Sequence, residues 1–148
     1  MRALIQCVKK ASVKVEDKIV GKIDRGYLIF LGVGTEDGPE EVEKLWNKIN
    51  KLRIWEDNEG KTNWNLEKVG GSCLIVSQFT LYANCRKGNR PSFVEAAGGE
   101  KGKSLYESFI EAAKKDVPIV EHGIFGAEMD VELINEGPFT IWLDTEEL

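Results

Sequence analysis

The sequence predicts an α/β (α+β) fold: a mostly antiparallel β-sheet, barrel-like or two-layered, with two main α-helices. Three observations predict it. Residues 3–33 run through short apolar or alternating stretches separated by tight turns, the pattern of a β-meander, which implies antiparallel pairing. Two later stretches, one after Pro39 and one over Lys101–Lys115, carry apolar residues at helical spacing. Between them, Gly70–Tyr82 reads as a strand buried on both faces.

Residues 3–8 (Ala-Leu-Ile-Gln-Cys-Val) and 12–16 (Ser-Val-Lys-Val-Glu) read as strands, the second with clear alternation. A tight turn at Asp17-Lys18 leads to a short strand, Ile19–Ile23. Asp24-Arg25-Gly26 turns again, into the apolar strand Tyr27–Val33. Asp37 or Gly38 can cap a helix that has Pro39 in its first position, and Glu40 and Glu41 suit the positive end of its dipole. Val42, Leu45, Trp46, Ile49 and Leu52 then form one apolar face, so Trp46 is a core residue and not a stacking platform. Arg53–Leu66 reads as strand or loop around a turn at Asp57-Asn58-Glu59-Gly60.

In Gly70–Tyr82 the apolar run is broken by Ser77, Gln78 and Thr80. Alternation puts Gln78 and Thr80 on one face of a strand, and Ser77 and Phe79 on the other. An unpaired buried polar group costs roughly 1–3 kcal/mol, so three together need a reason. Either they bond a neighbouring loop or this strand end is the floor of a polar pocket. Residues 84–91 form an exposed, turn-rich loop with Arg86, Lys87 and Arg90. The second helix, Lys101–Lys115, buries Leu105, Tyr106, Phe109, Ile110 and Ala113, and Pro118 stops it. Ile119–Val120 is a candidate short strand, Ala127–Ile134 a half-buried one, and Phe139–Leu143 the last. Asn135-Glu136-Gly137-Pro138 reads as a hairpin turn between those two, and Asp144–Leu148 as a loose acidic tail.

The 148 residues fit one domain, 1–148, with room for its own core. No apolar run approaches the roughly 20 residues that span a bilayer. Met1-Arg2 leads straight into a strand pattern, so no signal peptide is expected. Cys7, Cys73 and Cys85 match neither a disulfide framework nor a zinc-ligand spacing, which points to a reducing cytoplasm. A net charge of −5 argues against non-specific coating of nucleic acid. It leaves room for a basic face at Arg86, Lys87 and Arg90 with Lys101 and Lys103, or at Lys9, Lys10 and Lys14. The single histidine, His122, has no nucleophile-base partner in sequence, and Ser77 and Thr80 have no evident base nearby. No phosphate loop, nucleophile elbow or metalloprotease motif is present.

Ser77-Gln78-Phe79-Thr80-Leu81 and Asn135-Glu136-Gly137-Pro138-Phe139-Thr140, in that order, resemble the D-aminoacyl-tRNA deacylase family. The resemblance extends through Ala3-Leu4-Ile5-Gln6, Arg90-Pro91-Ser92-Phe93 and Gly123-Ile124-Phe125-Gly126-Ala127 to Met129. It implies a homodimer that hydrolyses the ester linking a D-amino acid, or mischarged glycine, to the 3′-end of tRNA, without metal or organic cofactor. It implies catalytic roles for Ser77, Gln78, Phe79 and Thr80, and a chirality role for a cis Gly137-Pro138 supplied by the other subunit, with Met129, Asn135 and Thr140 in support. Physical chemistry agrees. A shaped apolar pocket discriminates by only about 1–3 kcal/mol per methylene, whereas rigid backbone against the α-carbon excludes any L side chain.

Two positions depart from the family pattern: Cys7 where an arginine that helps lock the Gly-Pro segment is usual, and Phe139 where valine is usual. A relaxed-chirality relative that accepts a small L-aminoacyl-tRNA is therefore one alternative. A non-catalytic nucleic-acid-binding dimer using Arg86–Arg90 is another, and a plain dimeric scaffold a third.

Overall fold

The computed structural model describes residues 1–148. β1 (Arg2–Val15) is one long strand where the sequence suggests two. Lys9 and Lys10 interrupt its apolar pattern without ending it, because β8 (Asp130–Asp144) pairs antiparallel with nearly its whole length. Glu16 and Asp17 both take positive φ, 51° and 63°, one residue earlier than the turn read from the sequence. They join β1 to β2 (Lys18–Ile23) in a turn whose twist matches the strands. On the same side of β1, β3 (Gly26–Gly32) pairs antiparallel from Arg2↔Gly32 to Val8↔Gly26.

The strands read as a meander are antiparallel, although β3 pairs with β1 and not with β2; the pairings that follow are parallel. β6 (Ser72–Ser77) lies parallel to β3, and β7 (Val120–His122) lies parallel to β6. Connectivity is the reason. Between β3 and β6 the chain makes α1 (Pro39–Lys51) and a small hairpin of β4 (Trp55–Glu56) and β5 (Thr62–Trp64). Between β6 and β7 it makes α2 (Gly99–Asp116). Such long helical crossovers return the chain to the starting end of the sheet. β2 curls round toward β7, since a Cβ on Gly21 would sit 2.7 Å from the His122 carbonyl oxygen. The fold is thus a mixed, barrel-like sheet with two helices.

Tyr27, Ile29, Leu31, Cys73 and Ile75 face the helices and pack with Leu45, Trp46, Ile49 and Phe109. Leu28, Leu74 and Val76 face the inside of the curl, with Val8, Val13 and Ile23. This two-sided burial is what the unbroken apolar run in β6 records. Gly26 has a steric role here: a Cβ would lie 1.9 Å from the Ser72 carbonyl oxygen.

α1 is capped at Gly38, whose N–H donates to Glu41 Oε2 at 2.7 Å. Asp37, the other capping candidate, is buried elsewhere. It accepts from the Met1 ammonium (2.7 Å), the Gly34 N–H (2.6 Å) and the Tyr82 hydroxyl (3.3 Å).

Asn135-Glu136-Gly137-Pro138 is not a hairpin turn. β8 runs straight through it: Asn135 pairs with Val8 and Thr140 with Gln6, so residues 136–139 bulge out opposite Cys7. The Asn135 amide holds both shoulders, donating to the carbonyls of Cys7 (2.8 Å) and Phe139 (3.2 Å). Turn propensity is local, whereas β1 rewards ladder on both sides of the bulge and so overrides it. The Gly137–Pro138 bond is cis.

Candidate functional site

β6 stops at Ser77, and Phe79–Tyr82 coils into one 3₁₀ turn, so strict strand alternation fails beyond Ser77. Gln78 and Thr80 nevertheless share a side, with the Gln78 amide donating to Thr80 Oγ1. A pocket of about 450 Å³ opens beside this corner. Ser77, Gln78 and Phe79 line it with Val76, Ala97, Gly99, Phe125, Gly126, Ala127, Met129 and Val131. The strand end is therefore a pocket floor, the sharper of the two readings left open by the sequence. Met129 belongs to the lining, whereas Thr80 stands behind it on Gln78.

Nothing in that lining titrates near neutral pH. His122 lies outside it, exposed, with Nδ1 2.7 Å from the Gly123 carbonyl oxygen. Thr80 Oγ1 meets an amide donor rather than a base. No group of three or more His, Cys, Asp or Glu side chains is placed to hold a metal ion. What the corner does offer is polar side chains and main-chain N–H groups. The first N–H groups of any helical turn lack an acceptor within it; here they belong to Phe79 and Thr80.

The corner is tied down from the far end. Arg2 on β1 donates through Nη1 to the Leu81 carbonyl (3.0 Å) and through Nε to Asp144 Oδ2 (2.8 Å). Its guanidinium also lies over the Tyr82 ring at 4.3 Å. Burial, then the nearby Asp37 carboxylate, push the Tyr82 hydroxyl well above its ordinary range. On the floor side, Tyr106 of α2 donates to the Ile75 carbonyl at 2.8 Å. Phe79 is 57% exposed and meets Phe93 edge-on at 5.1 Å, so an aromatic rim borders the opening.

The second motif sits elsewhere. Gly137 and Pro138 are exposed and line a cavity of about 130 Å³ with Cys7, Arg25, Trp55, Glu136 and Phe139. Burial pushes the Cys7 thiol up to about 12. Thr140 accepts from the Gln6 amide at 3.2 Å, and Asn135 bridges the bulge as described, so both belong to this segment rather than to the pocket. The sheet order is β8, β1, β3, β6, with Cys7 in line with Cys73 and Ser77 further along β6. Strand spacings then put the two motifs of one chain about 14 Å apart across the sheet and about 13 Å along it. One copy does not bring them together. No sequence signal marks Ala97, Gly99 or Val131 for the lining, nor Arg25 and Trp55 for the bulge, since none of them stands in either motif. Glu136 stands in the second motif, but nothing in its spacing points to Arg25.

The chain is a mixed, barrel-like sheet with two helices, and the pocket at its corner is lined mostly by apolar side chains, with Ser77 and Gln78 at its floor and no titratable group. Comparison with known proteins shows the family. The sequence pattern of the D-Tyr-tRNA(Tyr) deacylase family matches residues 4–144. Proteins named D-aminoacyl-tRNA deacylase from Aquifex aeolicus and Thermotoga petrophila are each 51% identical, covering 100% of this chain and 100% and 99% of theirs. One from Clostridium acetobutylicum is 49% identical over 100% of this chain and 99% of its own. A solved structure named c-Myc DNA Unwinding Element Binding Protein superposes with a TM-score of 0.92 at 38% identity, covering 98% of this chain and 99% of that one. A probable eukaryotic D-amino acid tRNA deacylase shares the fold at TM-score 0.81 and 20% identity, over 96% and 97% of the two chains. The chain belongs to the D-Tyr-tRNA(Tyr) deacylase family and is an enzyme of that family, a hydrolase acting on an ester bond. No helix is long and apolar enough to cross a membrane.

Proposed function

We propose that the chain is a cytoplasmic homodimer that hydrolyses D-aminoacyl-tRNA and glycyl-tRNA, the pocket of one copy being covered by Gly137-Pro138 of its twin. The carrying observation is the pocket beside Gln78: its lining offers no general base, so the substrate must supply one. The 2′-hydroxyl of the terminal adenosine stands next to the ester. It orients a water whose oxygen bonds to the carbonyl carbon while the bond to O3′ breaks, and the water's proton ends on O3′. The Phe79 and Thr80 amides receive the developing oxyanion, a contact worth about 3–4 kcal/mol per donor in comparable sites. Gln78 orients the aminoacyl group, with Ser77 beside it, and Thr80 holds the Gln78 amide.

Gly137 supports the cross-subunit arrangement. A Cβ there would meet only Asn135 Oδ1, at 3.8 Å, and the residue needs no left-handed backbone. Its own chain gives no reason for glycine, whereas close approach to a ligand held by another copy does. Trp142 and Ile134, 43% and 46% exposed on β8, give that twin an apolar surface to meet. Glycine passes the filter because it has no side chain to reject, and no metal or cofactor enters the scheme.

The test compares release of D-tyrosine, glycine and L-alanine from their tRNAs. Release of the first two and not the third is expected; rapid release of L-alanine would establish the relaxed relative instead. A second reading is favoured by the name of the 38% identical structure and by the exposed Arg86, Lys87 and Arg90. Steeply salt-dependent binding to duplex DNA, with no release of any amino acid, would select a nucleic-acid binder.

A further inference from the structure

The bulge poses a problem that its ladder does not solve. Residues 136–138 lie outside the β1–β8 pairing, and beneath them is a cavity rather than a packed side chain. Cys7, which lies under the bulge, reaches up with nothing longer than a thiol. Asn135 ties the two ends of the bulge through its amide, which leaves the direction of Gly137 and Pro138 between them for another contact to fix.

Arg25, in the turn between β2 and β3, is placed to do so. Its Nε and Nη2 donate to Glu136 Oε2 and Oε1 at 3.2 and 3.3 Å, a two-pronged grip on the residue just before Gly137. The guanidinium in turn lies over Trp55, 4.7 Å from the ring centroid. Trp55 is 3% exposed and stacks on Tyr27 at 5.7 Å, and Tyr27 pairs with Cys7 in the sheet. A column of Arg25, Trp55 and Tyr27 thus rises from the sheet floor beside Cys7 to the shoulder of the bulge. An exposed ion pair by itself contributes little. This one differs in that the forked geometry and the aromatic support fix the arginine before it meets its carboxylate.

We propose that Arg25, acting through Glu136, is the positioning residue that holds Gly137-Pro138 and so sets how strictly L-amino acids are refused. The assignment rests on the reading that Gly137-Pro138 faces the aminoacyl group. Arg25 touches no substrate, so its removal acts on selectivity before it acts on turnover. A bulge released from Glu136 samples orientations that leave room on the forbidden side of the α-carbon.

The experiment measures kcat/KM for D-Tyr-tRNA and L-Tyr-tRNA with the wild-type dimer, Arg25→Ala, Glu136→Gln and the double variant, alongside each Tm. Both single variants should lower the D-to-L ratio about fivefold, through a faster L reaction, as expected for losing one well-formed exposed pair. The double variant should lower it no further, since both changes break the same contact. An unchanged ratio in both singles, or an equal fall of both rates, overturns the assignment while the wild-type D activity keeps the deacylase reading standing. Absence of D activity in the wild type would instead remove that reading, and this one with it. Glu136→Gln keeps the side-chain volume, so a folding defect in Arg25→Ala leaves the question decidable.

Discussion

Gly137→Ala isolates what reaches the bulge from outside the chain. Within its own chain the added methyl has space: one contact at 3.8 Å, with Asn135 Oδ1, is ordinary van der Waals distance. Its backbone is outside the left-handed region, so alanine brings no φ penalty. Stability of the isolated fold should therefore hold, or rise by about 0.4–1 kcal/mol through lost freedom in the unfolded chain. Against a ligand fitted to bare backbone the same methyl is overpacked, at about 1–3 kcal/mol. That corresponds to roughly a 5- to 150-fold loss in kcat/KM for D-Tyr-tRNA. The assay pairs thermal unfolding with single-turnover release of D-tyrosine. Unchanged Tm with reduced turnover supports approach from another copy; full turnover with unchanged selectivity refutes it, because then nothing comes close to Gly137.

Four further outcomes follow from the geometry. Asp37→Ala strips the buried Met1 ammonium of its carboxylate and should cost about 3–5 kcal/mol. At about 2–4 °C per kcal/mol for a domain of this size, a fall in Tm under a few degrees would show the pair to be slack. Thr80→Ala removes a hydrogen bond to Gln78 and should lower kcat by no more than about tenfold; a loss beyond about 10⁴ would make Thr80 the nucleophile. Alkaline pH should loosen the fold. The Cys7 thiol, raised to about 12 by burial, stays protonated when folded, while an unfolded chain gives up that proton from about pH 8.5. Its contribution is intact below that value and lost as pH climbs toward 12, so urea midpoints should fall between pH 8.5 and 10. By the same burial, Cys85 alone should react rapidly with a thiol reagent at pH 8 in the native protein; rapid labelling of Cys7 or Cys73 would contradict it.

Much of the fold was legible in the residues because it is local. Apolar spacing marked α1 and α2, Pro39 and Pro118 marked where one begins and the other cannot continue, and the doubly buried run marked β6. The polar break at Ser77, Gln78 and Thr80 was legible too, since polar side chains closing an apolar strand demand partners; whether those partners were a loop or the contents of a pocket was not. Local signals misled where the partner lay far away in sequence. Asn135 to Pro138 carries turn chemistry, yet β1 pairs on both sides of it and keeps the strand going. The parallel placement of β6 and β7 depends on two helical crossovers folding back over one face, which no periodicity records.

By itself the sequence determined the helices, which stretches are extended, the two motifs and the family they resemble, because each is written in short-range spacing. It did not determine that β1 and β8 are each continuous. Tertiary structure alone decided that a strand end becomes a pocket without a titratable wall, and that the glycine-proline segment stands on the opposite flank of the same sheet. It also decided that Arg25, from an unrelated turn, grips Glu136. Those are contacts between residues tens of positions apart, created by burial of the apolar faces and not by the preferences of any one stretch of chain.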